Sequence, residues 1–542
     1  MLNKKTPPRW NTLKLLAPSA VLLILAACAG GRTGLTALAS CTDIGGTQIS
    51  AGQIGKPTSG ASVNSASLVA ADPSTASPEY CKVLGAIAPV DRTAPPINFQ
   101  VNLPTQWNHK ALHFGGGGFN GTLVAAIAGS THTALAATPI PTPLARGYVT
   151  FGSDSGHKGS AFDGSFAIND EALRNYGGDQ LKKTHDAVYA IIAKRYGTAP
   201  KRLYFAGGSQ GGHEGFTVIQ RWPQDYDGVI AYYPGHDFMG NILSFNREVK
   251  TFFGTPGAAL SVPKRALLRR SVYAACDGLD GVVDGIISNL NACATAFNIA
   301  SLRCATGTDE GDRCLSDVQI TALNLVKTPN TLPFALNGGR TTYPGRPIFL
   351  GADIEGILFG PGLTREGSAV GRFESDLVRY FVTKDPNFDT LTLDVAQWAN
   401  RAAQLSANID DTSIEIDAFR ARGGKLIVVH GTTDYLVAPD ATIEYFNRLA
   451  GKFGRPSLDA FARLYMVPGL GHGAGVFNAS WDSVAALDSW RETGVAPIAQ
   501  VVADSNAVTL GRTRPLCEYG TWPKYKGTGD INSAASFECM PR

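Results

Sequence analysis

A serine framed by glycines is the residue whose surroundings most clearly indicate chemistry. Ser209 lies in the sequence GGSQG at positions 207–211, directly after the strand-like segment 202–206. A strand, a sharp glycine turn and a helix in this order form a nucleophile elbow, which holds a serine hydroxyl above a parallel sheet. Glycine is needed there because a side chain would collide with the neighbouring strand or helix. An ordinary glycine-rich loop has the same pattern, so other residues must show whether Ser209 is a nucleophile.

A serine hydroxyl is a weak nucleophile and needs a base, which in turn needs an orienting acid. His472 lies in a glycine-rich loop after the strand-like segment 462–467, and Asp434 comes just past the buried strand-like segment 425–430. Serine, acid and histidine follow each other along the chain in the order typical of nucleophile-elbow hydrolases. The sequence therefore predicts Ser209, Asp434 and His472 as a catalytic triad. We interpret His430 as a pocket-wall or structural residue, with a catalytic role as the alternative.

The negative oxygen that forms during acyl transfer needs two N–H donors. One is expected from the backbone of Gln210, directly after the nucleophile, and the other from a glycine-rich loop after an earlier strand. The four glycines at 115–118 form such a loop, which gives Gly118 or Gly117 as the second donor. No Gly-Lys-Ser/Thr sequence follows them, which argues against a phosphate-binding loop.

Strand-like and helix-like segments alternate on both sides of a long insertion. They run from 99 to about 235, including a helix predicted over 180–196, and resume from 418 to a helix-like segment at 480–493. Such alternation predicts an α/β protein with a mostly parallel sheet covered on both faces, here an α/β-hydrolase fold. We expect core segments at 62–235 and 413–542. The insertion 236–412 lacks this rhythm and is predicted to be a lid over the substrate pocket, with an independent domain as the alternative.

The first residues form a targeting segment. Four basic residues precede a short apolar run at 15–27, which predicts a secretory signal peptide over 1–28. The sequence Leu-Ala-Ala-Cys at 25–28 resembles a bacterial lipobox, so Cys28 is predicted to be lipidated, with plain cleavage near Ala27 or Ala29 as the alternative. Residues 29–61 are expected to form a polar tether. We expect an exported bacterial protein, either an outer-membrane lipoprotein or a periplasmic or secreted one.

Charge and cysteine content limit the binding partners and the cross-links that the protein is expected to have. The net charge of the 542 residues is +3, and without a basic run beyond the N-terminus nucleic acid is not expected as a partner. Nine cysteines less Cys28 leave eight, which predicts four disulfides, although eight cysteines permit 105 pairings. The short spacings favour Cys276–Cys293, Cys304–Cys314 and Cys517–Cys539, which leaves Cys41–Cys81. No CxxC pair or Cys/His cluster indicates zinc.

Three aspartates lie close together in the insertion. Asp277, Asp280 and Asp284 occur in a segment with three glycines, which argues against a helix. A tight loop that gathers carboxylates and backbone carbonyls suits Ca²⁺, which takes six to eight oxygen ligands. We predict a structural calcium site that fixes the lid near its cysteines, with a solvated acidic turn as the alternative.

These features together resemble the tannase/feruloyl esterase family of bacterial and fungal serine esterases. The resemblance covers nearly the whole mature chain and is carried by segments 207–212, 277–286, 425–434, 467–475, 513–517 and 526–532. The last two segments and the cysteine spacing of the lid are most similar to bacterial mono(2-hydroxyethyl) terephthalate hydrolases. The resemblance implies calcium ligation by Asp277, Asp280 and Asp284 with the carbonyls of Val282 and Ile286. It also supports the four cysteine pairs.

Two positions depart from this resemblance. The family usually carries a cysteine before the nucleophile and another after the catalytic histidine, bridged to each other, where this chain has Gly208 and Gly473. Their joint absence puts the rigidity of the site, and any transfer of substrate preference, in doubt. Cysteines restored at both positions could tether the histidine loop if their Cα atoms lie within about 7 Å.

The sequence predicts an exported, monomeric serine carboxylesterase. By resemblance its substrate is a small aromatic ester whose acid is of the feruloyl, galloyl or terephthaloyl type, bound by pocket residues expected within 343–385. Alternatives are an esterase of aliphatic polyester fragments, a protease or transacylase with the same triad, and a non-catalytic calcium-stabilised surface lipoprotein that binds ligands.

Overall fold

The short apolar runs of the sequence become strands, most of them in one sheet. The structure, a computed structural model, describes residues 35–74, 76–127 and 140–542. The strands of these residues are β1 (Leu35–Thr36), β2 (Gln48–Ile49), β3 (Ala61–Val69), β4 (Tyr80–Ile87), β5 (Ile97–Pro104), β6 (Gln106–Trp107), β7 (Lys110–Phe114), β8 (Val149–Ser153), β9 (Arg202–Gly208), β10 (Gly228–Tyr232), β11 (Asn330–Leu336), β12 (Arg340–Tyr343), β13 (Lys425–Gly431), β14 (Ala462–Val467), β15 (Ala479–Ser480), β16 (Val501–Asp504), β17 (Thr513–Pro515), β18 (Thr521–Tyr525) and β19 (Phe537–Pro541).

The helices follow the strands in the alternation that the sequence predicts. They are α1 (Cys41–Ile44), α2 (Asp170–Arg174), α3 (Gln180–Tyr196), α4 (Gln210–Arg221), α5 (Phe238–Phe253), α6 (Val262–Cys276), α7 (Leu290–Ala296), α8 (Asp317–Lys327), α9 (Ala369–Asp376), α10 (Ala399–Ile409), α11 (Asp417–Ala421), α12 (Pro439–Phe453), α13 (Arg455–Asp459) and α14 (Ser483–Thr493). The predicted helix at 180–196 coincides with α3. No helix in the described ranges is long and apolar enough to span a membrane.

The large sheet has the order β14-β13-β10-β9-β7-β8-β5-β4-β3-β2 within the described residues. Neighbours from β14 to β8 are parallel, and neighbours from β8 to β2 are antiparallel. Because β7, β9, β13 and β14 are parallel, the loops that follow them leave the same edge of the sheet. Binding sites of open α/β sheets form at this edge. The fold is that of an α/β hydrolase.

Both faces of the sheet are covered, as its side chains show. Leu203 and Phe205 of β9 belong to one apolar cluster with α3 and α12, whereas Tyr204 and Ala206 belong to another with α14. Alternation with period two places successive side chains on opposite faces. The parallel strands β7 to β10, β13 and β14 are therefore buried along most of their length.

The insertion after β10 packs around an apolar cluster of its own. Helices α5 to α10 and the hairpin β11–β12 lie between β10 and β13. Their cluster includes Ile242, Leu358 and Phe381, and it also takes in Phe119 and Tyr176 from loops of the core. The insertion therefore covers the edge of the sheet where β7 and β9 end, which is where a lid is expected.

The N-terminal boundary differs from the prediction of a tether over 29–61. Residues 35–36 pair with β6, and Ile44, Ile49 and Ile54 are at most 5% exposed. These isoleucines recur among polar residues and pack on the sheet, so overall polarity was a poor guide to this segment. The structure limits any tether to residues before 35. The predicted signal peptide and Cys28 lie outside the described residues.

Four disulfides join the described cysteines. They are Cys276–Cys293, Cys304–Cys314 and Cys517–Cys539, which the spacing favours, and Cys41–Cys81, the pair that these leave. Cys304 and Cys314 also approach Glu310 closely enough to suggest metal ligands, but the disulfide between them uses both sulfur atoms.

Candidate active site

Ser209 lies in a tight turn between a strand and a helix that pack closely. It follows β9, directly precedes α4 and has φ 59° and ψ −118°, a conformation that residues other than glycine rarely adopt. Its N–H donates to the carbonyl of Tyr232 at 3.0 Å. A Cβ atom on Gly207 would lie 2.5 Å from the backbone of Gly211, so the strand and the helix approach too closely for a side chain. The glycines of the elbow therefore serve packing.

The histidine and the acid complete a hydrogen-bonded chain from the serine. Ser209 Oγ donates to His472 Nε2 at 2.8 Å, and His472 Nδ1 donates to Asp434 Oδ2 at 2.8 Å. The other carboxylate oxygen of Asp434 accepts the N–H of Val437 at 3.0 Å. The structure thus brings together three residues that are separated by 225 and 38 positions in the sequence. In this arrangement the imidazole can take a proton from the hydroxyl while the carboxylate holds its orientation.

His430 lies behind the acid and does not line the cavity. Its ring is fully buried, with Nδ1 2.8 Å from Thr442 Oγ1, Nε2 donating to the carbonyl of Val437 at 3.1 Å and Nε2 3.4 Å from Asp434. Burial of Asp434 acts to raise its pKa, but His472 and His430 outweigh that effect and hold the pKa well below its usual value. The acid is therefore ionised throughout the physiological range.

Two backbone segments meet beside the serine hydroxyl. Gly118, from the loop after β7, and Gln210, the first residue of α4, line the same cavity as Ser209 and His472. Gly118 has φ 60°, and a Cβ atom there would lie 2.2 Å from the carbonyl oxygen of Ala161. Gly117 is not among the lining residues, so the structure favours Gly118 of the two predicted donors.

A buried carboxylate that the sequence analysis missed supports this loop. Glu214, one turn after Gln210 on α4, accepts the N–H of Gly116 at 2.9 Å and the side-chain amide of Asn120 at 2.9 Å. The amide of Gln180 donates to it at 3.2 Å. Burial raises the pKa of Glu214 against the opposing effect of these hydrogen bonds. The spacing of four residues between Gln210 and Glu214 was the sequence signal that could have placed Glu214 on the same face of the helix as Gln210.

The cavity beside the serine has an apolar wall. It is lined by Gly118, Ser209, Gln210, Gly235, Phe238, Asn241, Ile242, Phe245, Phe373, Leu436, Val437 and His472. Four of these residues come from α5, and only Phe373 comes from the segment 343–385 in which pocket residues were expected. The polar side chain of Asn241 is engaged elsewhere, since it donates to the carbonyl of Leu436 and accepts from Arg346.

The aspartates of the insertion lie in a turn that begins where α6 ends. Asp277 accepts the N–H groups of Asp284 and Gly285, and Asp284 pairs with Arg514 of the tail. Asp280 is 1% exposed, and its Oδ2 has no hydrogen-bond partner. Burial and the neighbouring carboxylates raise the pKa of Asp280 to about 6. A buried carboxylate oxygen without a donor fits the oxygen set that Ca²⁺ requires.

Comparison with known proteins finds esterases among the relatives of this chain. A family model described as tannase and feruloyl esterase matches residues 81–540. An uncharacterized esterase of Agrobacterium fabrum is 39% identical over 92% of this chain and 92% of its own. A mono(2-hydroxyethyl) terephthalate hydrolase of Piscinibacter sakaiensis is 31% identical over 86% of this chain and 87% of its own.

Solved structures support the same fold. The crystal structure of feruloyl esterase B from Aspergillus oryzae superposes with a TM-score of 0.76 at 23% identity, covering 92% of this chain and all of that one. A tannin acyl hydrolase from Aspergillus niger gives a TM-score of 0.66 at 20% identity, covering 89% and 92%. The chain belongs to the tannase and feruloyl esterase family and is a carboxylic ester hydrolase.

Proposed function

We propose that the protein hydrolyses esters of uncharged aromatic acids through Ser209, His472 and Asp434. Ser209 Oγ attacks the ester carbonyl while His472 Nε2 takes its proton, and the same proton then passes to the leaving alcohol. The N–H groups of Gln210 and Gly118 hold the negative oxygen of the intermediate. Water next attacks the acyl-enzyme with His472 again as the base. The proposal depends chiefly on the continuous hydrogen-bonded chain from Ser209 to a buried Asp434 beside an apolar cavity.

The preference for an uncharged acid follows from the cavity wall. Among the described residues that line it, the side chains of Phe238, Phe245 and Phe373 supply aromatic surface, and none is an Arg, Lys, Asp or Glu. A second carboxylate on the acyl ring would lose its hydration there without a cation to pair with, at a cost of several kcal/mol. The three hydroxyls of a galloyl ring would likewise lack partners, whereas a feruloyl ring has only one hydroxyl to desolvate. A plain benzoyl-like acid therefore fits best, and a feruloyl-like acid fits better than a galloyl one.

This preference separates the chain from one of its relatives. The Piscinibacter sakaiensis enzyme is named for a terephthalate half-ester, whose acid ring carries a free carboxylate. An apolar cavity also accepts aliphatic acyl groups, so esters of short aliphatic acids are the second candidate.

A matched set of esters tests the proposal. Methyl ferulate, methyl 4-methylbenzoate, monomethyl terephthalate, methyl gallate and ethyl butyrate are compared at one pH in wild type and Ser209→Ala. We expect kcat/KM for methyl 4-methylbenzoate to exceed that for monomethyl terephthalate by at least about 100-fold, since a few kcal/mol corresponds to such a ratio. Ser209→Ala is expected to lose at least about 1000-fold on every ester, with an unchanged melting temperature.

Two results would contradict the proposal. Retention of activity by Ser209→Ala would show that Ser209 is not the nucleophile. Equal turnover of the charged and neutral esters would refute the preference that we infer from the apolar cavity wall. Labelling of Ser209 by one equivalent of an organophosphate separates an enzyme from a ligand-binding protein, because only an activated serine reacts.

We propose further that the aspartate turn binds a structural calcium ion. Asp277, Asp280 and Asp284 with the carbonyls of Val282 and Ile286 would hold it, and a bound ion would neutralise their clustered charge. Support comes from the unpartnered Asp280 oxygen and from the turn's place between the Cys276–Cys293 disulfide and Arg514.

We also propose export with lipidation at Cys28. The basic and apolar N-terminal pattern and the four disulfides support an oxidising compartment. Palmitate labelling of the protein expressed in a bacterium, compared with Cys28→Ala, tests the lipidation. Equal labelling of the two proteins would exclude it.

A further inference from the structure

One tyrosine lies between the turn that bears the nucleophile and the loop that bears the histidine. Tyr233 directly follows β10, is 5% exposed and donates its N–H to the carbonyl of Val429 at 2.7 Å. A Cβ atom built on Gly208 would lie 2.8 Å from Tyr233 Oη, and one built on Gly473 would lie 3.0 Å from the same oxygen. Both glycines therefore contact a single side chain, and each is the sequence neighbour of a triad residue.

The ring of Tyr233 also packs against the catalytic histidine. The two ring centroids are 4.6 Å apart and the planes are tilted by 53°. Tyr233 has φ 35°, in a region that residues other than glycine rarely adopt. Such a backbone persists only where the surrounding structure fixes it, and it occurs mostly at functional sites.

We infer that Tyr233 is a positioning residue that sets the separation between Ser209 Oγ and His472 Nε2. Its hydroxyl fills the space between the two loops, and its ring limits the rotation of the imidazole. It is not among the residues that line the cavity, so its effect reaches the substrate only through His472. The inference rests on the proposed function, because it presumes that His472 is the base.

The same geometry explains why both neighbouring positions are glycine. Gly208 has no positive φ, so its backbone would accept alanine and only the Tyr233 ring stands in the way. Gly473 has φ 81° and needs glycine for its backbone as well. Gly208 is therefore the position at which the contact with Tyr233 can be tested alone.

The first test replaces the tyrosine itself. Tyr233→Leu is expected to lower kcat on methyl ferulate by about 10- to 100-fold, because a misplacement of about 1 Å between reacting groups has effects of this size. KM should stay within about twofold, since the cavity wall is untouched. The control is Tyr226→Leu, a buried tyrosine that precedes β10 at its opposite end, which should lower the melting temperature and leave kcat unchanged.

The second test uses the glycine. Gly208→Ala is expected to lower kcat in the wild-type background by pushing against the ring, and to cost nothing further when combined with Tyr233→Leu. Tyr233→Phe, which keeps the ring and removes the hydroxyl, should show a smaller loss and partly relieve Gly208→Ala. Groups in contact show a coupling of this kind in double-mutant cycles, whereas the effects of distant, independent sites add.

The outcomes separate the inference from the proposed function. If Ser209→Ala is inactive but Tyr233→Leu keeps its kcat, the inference is refuted and the proposed function stands. Additive losses for Gly208→Ala and Tyr233→Leu, or equal kcat losses in Tyr226→Leu, refute it too. If Tyr233→Leu does not fold, the cycle of Gly208→Ala with Tyr233→Phe decides, since additivity there excludes the contact.

Discussion

Replacement of Glu214 by glutamine should disturb the proposed oxyanion site and leave the hydrogen bonds among Ser209, His472 and Asp434 intact. The carboxylate accepts hydrogen bonds from three buried donors, the backbone N–H of Gly116 and the side-chain amides of Asn120 and Gln180. Glutamine has the same shape but offers one acceptor oxygen and an NH₂ group. In Glu214→Gln at least one of these donors must therefore face another donor.

The size of the effect follows from two limits. Loss of one buried hydrogen bond that involves a charged group costs about 1–3 kcal/mol, which would act on the loop that contains Gly118. Complete removal of one oxyanion donor lowers kcat by about 100- to 1000-fold. Because the loop is also held by the N–H of Gly211, which donates to Gly116 O at 3.1 Å, we expect partial displacement. A kcat loss of about 10- to 100-fold with little change in KM is the expected result.

The assay compares Glu214→Gln with Glu171→Gln on methyl ferulate. Glu171 is 4% exposed and is not among the residues that line the cavity. Its carboxylate accepts the backbone N–H groups of Val90 and Asp91 and pairs with Lys183. Both variants bury an amide in place of a carboxylate, so both should lower the melting temperature, but only Glu214→Gln should lower kcat. Equal kcat in the two variants would refute the role that we give to Glu214. A raised KM without loss of kcat would refute it too, and would indicate that Glu214 shapes the substrate cavity instead.

Three further outcomes are expected from single groups. Burial lowers the pKa of His157 to about 4. Below about pH 6.5 the unfolded chain therefore binds a proton at this residue that the native state does not bind. The free energy of unfolding should fall by up to about 3 kcal/mol as the pH drops from about 6.5 to about 4, and denaturant titrations should show a flatter pH dependence for His157→Asn than for wild type. A chelator should lower the melting temperature of the wild type and added Ca²⁺ should restore it, whereas Asp280→Asn should respond to neither; no response of the wild type would exclude the calcium site. Removal of the Cys41–Cys81 disulfide in the double variant Cys41→Ser/Cys81→Ser should lower the free energy of unfolding by about 2–4 kcal/mol, and an unchanged denaturation midpoint would contradict this.

The sheet and the meeting of Ser209, Asp434 and His472 could be predicted because each position follows a local pattern. The strand before Asp434 and the strand before His472 are continuous apolar runs, and the structure has them as β13 and β14 at nearly the predicted bounds. A residue directly after a parallel strand must lie at the carboxyl-end edge. Sequence order then limits which side chains can meet, and the fold brings them together.

The cavity wall and the supporting residues could not be predicted, because they depend on contacts between distant segments. Helix α5 contributes four of the twelve residues that line the cavity, but its sequence is that of any buried helix. Glu214 and Tyr233 are each defined by a partner more than 90 positions away, Gly116 and Gly473. The isoleucines at 44, 49 and 54 were likewise hidden in a segment whose overall composition is polar.

Charged residues directly behind the cavity wall also affect which substrates the cavity can bind. Arg346 is 2% exposed, lies over the ring of Phe245 at 4.6 Å and contacts Asn241, so a cation stands directly behind two lining residues. Glu248 pairs with this guanidinium at 2.7 Å and neutralises it. Because the ion pair is buried and satisfied, the guanidinium is not free to turn toward a substrate carboxylate, and breaking the pair would leave an uncompensated buried charge. The packing of α5 thus supports the proposed preference for neutral acids, and on that proposal a gain of activity on terephthalate half-esters would require a new cation on the cavity wall itself.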